Sequence, residues 1–68
     1  MSMETVLKQR LDRGETVANP NEEGETIKKL TRDIKQDDCL FKKGQYVIYS
    51  HEDIVGGGSW ADLMDCIA

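Results

Sequence analysis

The chain has 68 residues, a formal net charge of −4, 38% hydrophobic and 32% charged residues, and two cysteines. A chain of this length forms one domain, buries only about 60% of its unfolded surface, and leaves little room for the several-hundred-Å³ pocket that a substrate needs. It has no apolar run near the roughly 20 residues of a membrane helix, and its cysteines are too few for a disulfide framework.

The opening Met1-Ser2-Met3-Glu4-Thr5 has neither a basic n-region nor an apolar h-region. A cytoplasmic protein with reduced thiols is therefore expected. Cys39 and Cys66 read as small hydrophobes in or near the core, with a bridge between them kept open. Residues 2–13 read as a first helix. Met3, Leu7 and Leu11 recur every four residues, Ser2 suits the N-cap, and Gly14 marks the stop. Thr16-Val17-Ala18 reads as a short edge strand. Residues 19–24, with Asn19-Pro20-Asn21 and Gly24, read as an exposed loop.

Residues 25–36 carry Ile27, Leu30 and Ile34 at helical spacing, which predicts a second helix with Lys28, Lys29, Arg32 and Lys35 on its opposite face. Cys39-Leu40-Phe41 and Gln45 to Tyr49 read as two strands joined as a hairpin through Lys42-Lys43-Gly44. The continuous apolar run from Tyr46 to Tyr49 predicts a strand covered on both faces. Ser50-His51-Glu52-Asp53 resembles a helix start. Gly56-Gly57-Gly58 reads as a hinge into a third helix over 59–68, where Ser59 and Asp62 have capping-box spacing and Trp60, Leu63, Met64 and Ile67 form a stripe. The expected fold class is α+β over residues 1–68: a two- to three-stranded antiparallel sheet built on hairpin 39–49, packed with about three helices. A winged-helix-like arrangement ranks second.

Charge is unevenly laid out. Residues 1–43 carry nine bases and nine acids, whereas residues 44–68 carry no Lys or Arg and four acids, Glu52, Asp53, Asp62 and Asp65. Such asymmetry steers association without determining the fold. The plain alternative is a pair of solvated faces that keep a small protein soluble.

The segment Gly56-Gly57-Gly58-Ser59 before a helix is the only stretch like an anion cradle. It lacks a P-loop Lys, and the neighbouring acids repel phosphate. His51, the single histidine, has no Cys or His two to four residues away, so no metal and no cofactor is expected. Trp60 either completes the core or meets a partner, as Trp is enriched at interface centres.

The expected function is that of a small acidic, non-enzymatic protein-binding regulator or inhibitor. It would dock on the basic surface of a larger protein, such as one that handles nucleic acid, through Glu52, Asp53, Trp60, Asp62 and Asp65. Small accessory proteins of phages and mobile elements share this composition. One alternative is a nucleic-acid-associated regulator that uses Lys28, Lys29, Arg32 and Lys35, against which a pI near 4.8 argues. Another is a small subunit of an oligomeric enzyme.

Overall fold

A computed structural model describes residues 3–67, and the side chains of residues 3–65. Its elements in chain order are α1 (Met3–Asp12), β1 (Val17–Ala18), β2 (Glu25–Lys29), β3 (Ile34–Gln36), β4 (Cys39–Phe41), β5 (Tyr46–Ser50), β6 (Asp53–Gly58) and α2 (Trp60–Ile67). An antiparallel sheet runs in the order β1-β2-β5-β6, and β3 and β4 form a separate two-stranded hairpin.

Among the described residues, two helices and six strands replace the expected two- to three-stranded sheet with about three helices. Residues 25–36 are not helical. Ile27, Leu30 and Ile34 are apolar because they serve two cores, not one helix face. Ile27 packs with Leu7, Leu11, Tyr46, Ile48 and Leu63, whereas Leu30 and Ile34 pack with Val47 and Ile54. The β-branched Thr26 and Ile27 suit a pleated surface, and five residues of β2 pair in register with β5.

β5 is the central element. Tyr46 and Ile48 point into the first core and Val47 into the second. The expectation of a strand covered on both faces therefore holds. α1 and α2 cover one face, while Ile34 and Phe41 of the β3–β4 hairpin cover the other.

The hairpin expected between 39–41 and 45–49 is overturned: β4 pairs with β3, and β5 with β2 and β6. Lys42-Lys43-Gly44 instead leads the chain from one sheet to the other. The Lys43 N–H donates to Asp33 Oδ1 at 2.7 Å, and the Gly44 N–H donates to the Leu30 carbonyl at 2.9 Å. Gly44 takes a positive φ there, 91°, which glycine adopts at no steric cost.

Residues 50–53 do not start a helix. His51 and Glu52 are the two loop residues between β5 and β6, with φ of 51° and 74°. Asp37 and Asp38 do the same between β3 and β4, with φ of 49° and 66°. Two-residue connections with both φ positive match the right-handed twist of the strands they join.

Residues 56–58 are the last three of β6, not a hinge. Gly57 lies against β5 so closely that a Cβ there would sit 2.9 Å from both the Tyr46 carbonyl oxygen and Val47 Cγ1. A register shift opposite Ile48 and Tyr49 leaves Val55 as an extra residue, 57% exposed.

α2 begins where the capping spacing placed it. The Asp62 N–H donates to Ser59 Oγ at 3.3 Å, and the Ser59 N–H donates to Asp62 Oδ2 at 3.0 Å. Asn19 is the buried anchor of the otherwise exposed 19–24 loop. Its Oδ1 accepts from the Asn21 N–H and its Nδ2 donates to Glu25. Cys39 is an exposed free thiol, not a core residue. The Ser2 cap, the side chain of Ile67 and the Cys39–Cys66 pairing lie outside the described residues. No described helix is long and apolar enough to cross a membrane.

Candidate protein-binding groove

α1 lies on the sheet through Leu7 and Leu11, which are buried one helical turn apart. Its next face points along the sheet toward β1 and is also apolar. There Met3 is 78% exposed and Val6 39% exposed. Across from them stand Val17 and Ala18 of β1 and Pro20 of the following loop, and Met64 of α2 also lines the space. The result is a surface groove of about 400 Å³. Glu4 and Arg10 are its charged lining residues, one of each sign. The two methionines are unbranched and polarizable, which suits a surface that adapts to what it binds.

A wider depression of about 610 Å³ lies between Leu11, Asp12, Lys29 and Lys43. It is more open and more polar, and its floor is already used internally. Tyr46 donates its hydroxyl to Asp12 Oδ1 at 2.8 Å, Lys29 Nζ sits 3.2 Å from the same oxygen, and Lys8 Nζ sits 3.0 Å from Oδ2. These donors, Lys8 first and Tyr46 second, hold the Asp12 carboxyl down to about 2. Burial, with the hydrogen bond to Asp12, pushes the Tyr46 phenol upward. The network ties the end of α1 to β2 and β5. Nothing in the sequence spacing marked Asp12 for this role, since its partners come from three elements.

Trp60, weighed as a partner contact, is half-buried against the first core. Its ring stands edge-on to Tyr46 with centroids 5.0 Å apart, and its Nε1 donates to Glu4 at 3.3 Å. It links α2 to α1 and β5, in keeping with core completion.

The four acids named from the sequence are all exposed but do not form one surface. Glu52 and Asp53 lie at the start of β6, and Asp62 and Asp65 lie beyond its end. The five strand residues after Asp53 lie between the two pairs, roughly 17 Å at the usual strand rise. Asp62 is also engaged in capping α2. The fold instead brings a different acidic pair toward Glu52 and Asp53. Gln36 bonds to the main chain of Ile54, so the Asp37-Asp38 turn lies at the same end of the molecule as Glu52 and Asp53. No group of three or more His, Cys, Asp or Glu that could hold a metal occurs among the described residues.

The basic residues fare similarly. Lys28 pairs across from Val47 and Lys29 from Tyr46, so they point to opposite faces of the sheet. Arg32 lies in the turn after β2 and Lys35 on the exposed side of β3. The single basic helix face expected over 25–36 does not exist.

No family model, curated protein or solved structure matches this chain.

Proposed function

We propose that this chain is a small non-catalytic protein-binding domain, acting as a regulator or inhibitor by docking on a larger protein through the groove between α1, β1 and α2. The observation that carries this reading is the groove itself: an open apolar concavity whose rim residues Met3 and Val6 leave hydrophobic surface in water. With only nine buried hydrophobic residues among those described, leaving such side chains outside the core forgoes stability that the fold can ill spare. The groove supplies hydrophobic contact and one charge of each sign, which suits recognition of apolar side chains. The acidic residues 37–38 and 52–53 add a negative end that steers encounters toward a basic surface and supplies little of the affinity.

The test compares the wild-type chain with Val6→Asp and with the double variant Asp62→Lys, Asp65→Lys as baits for capture from the native cell. The wild type and the double variant are expected to retain the same protein, and Val6→Asp is expected to lose it. If Val6→Asp retains that protein and the double variant does not, the acidic outer face of α2 is the docking surface and the groove is not.

A further inference from the structure

We infer that the groove receives an extended peptide segment of a larger protein, which adds as a strand to the free edge of β1. This rests on the docking role proposed above and specifies the partner's chemistry. β1 is one of the two outermost strands of the larger sheet, paired on one side only with β2. The Asn19 N–H donates to the Glu25 carbonyl at 2.9 Å, so Asn19 and Glu25 form a hydrogen-bonded pair. Residues along an antiparallel ladder alternate between hydrogen-bonded and non-hydrogen-bonded pairs. Ala18, opposite Thr26, therefore belongs to the second kind, and its N–H and C=O point away from β2. No described residue bonds either group. Ala18 is also exposed and lines the groove.

A donor and an acceptor on one residue, aimed outward beside an apolar concavity, match what strand addition requires. Main-chain bonds supply affinity, and alternate side chains of the incoming strand fall into the concavity to supply specificity. A helix does not meet this requirement, because its main-chain groups are consumed internally. A second copy of the chain does not fit well either. In a pairing of β1 with itself, Pro20 ends both strands within two residues of Ala18. Glu4 and Arg10, of opposite sign, set no net charge preference, so the segment is defined by apolar residues at every second position.

The experiment selects twelve-residue random peptides displayed on phage against the whole chain. Affinities of the selected synthetic peptides are then measured by fluorescence anisotropy. Strand addition predicts apolar residues at i, i+2 and i+4 in the selected peptides. It also predicts a loss of roughly tenfold or more when an inward amide of the peptide is N-methylated, because a main-chain bond is removed. Ala18→Pro, which deletes an N–H that the fold does not use, gives a similar loss, while Ala18→Ser binds normally. The methylated peptides keep the test decisive even where the proline variant misfolds.

Selected peptides with apolar residues at i, i+3, i+4 and i+7, or indifferent to N-methylation, would overturn strand addition and leave the groove as a docking site. A concentration-dependent dimer that Ala18→Pro abolishes would overturn it in favour of self-pairing. Should the wild type enrich no peptide relative to Val6→Asp, both strand addition and the groove fall.

Discussion

The side-chain amide of Gln36 occupies both main-chain groups of Ile54: its Nε2 donates to the Ile54 carbonyl at 3.0 Å and its Oε1 accepts the Ile54 N–H at 3.1 Å. β6 is an outermost strand, and outward main-chain groups on such strands template pairing with other chains. Gln36 blunts that edge and fastens the β3–β4 hairpin to the larger sheet. Gln36→Ala is expected to lower the unfolding free energy by about 1–2 kcal/mol, the worth of two hydrogen bonds. It should also make the chain more prone to associate. Urea denaturation and sedimentation at several concentrations check both, and an unchanged midpoint would show that the hairpin is held by Ile34 and Phe41 alone.

Asp12 makes stability depend on pH in the acid range. Its folded carboxyl is held at about 2 against an ordinary 3.8, so the unfolded chain takes up this proton first as pH falls. The stabilisation is complete above about pH 4 and disappears as pH drops toward 2. Asp12→Asn should flatten that part of the profile of melting temperature against pH. Tyr46→Phe should flatten it partly, because Lys8 and Lys29 still hold the carboxylate.

The β5–β6 turn carries avoidable strain. His51 tolerates positive φ, but Glu52 rarely adopts it, and here both do. The double variant His51→Asn, Glu52→Gly places a favoured pair for this turn in the same backbone and is expected to add about 1 kcal/mol of stability. Thermal or urea unfolding reads this directly. A loss of stability would mean that these side chains have a role besides forming the turn.

Gly56 and Gly57 are adjacent but should respond differently to alanine. A Cβ at Gly57 meets the main chain of Tyr46 and the side chain of Val47, whereas one at Gly56 has open space. Gly57→Ala is expected to cost about 1–3 kcal/mol through overpacking, and Gly56→Ala little or nothing. Equal effects in the two variants would show that β6 shifts freely over β5.

The parts of the fold that local chemistry dictates were readable from the chain alone. Leu7 and Leu11 marked the buried face of α1, Ser59 and Asp62 marked the start of α2, and Tyr46 to Tyr49 marked a doubly covered strand. Other features depend on pairing between distant residues. Ile27, Leu30 and Ile34 obey a helical period by coincidence, because their alternation is divided between cores on opposite faces of one sheet. β4 was matched to β5 because they are neighbours in the chain, although the partner of β4 is β3. The turn at 51–52 contains none of the Gly, Asn or Asp residues that usually announce one, and Asp37-Asp38 lacks the glycine that makes the signal strong. The groove was invisible for the same reason, since Val6, Ala18 and Met64 converge only after three separate elements have packed.

The position of β5 also bears on how the chain is made. Both cores need Tyr46, Val47 and Ile48, and both wait for residues beyond them: Leu63 for one and Ile54 for the other. A polypeptide emerging from the ribosome would reach residue 46 with its helix and first strands lacking the central strand they pack on. Acquisition of structure is therefore a late and nearly simultaneous event for both halves. Until then Leu7, Leu11, Ile27 and Leu30 are open to chaperones, to proteases and to one another.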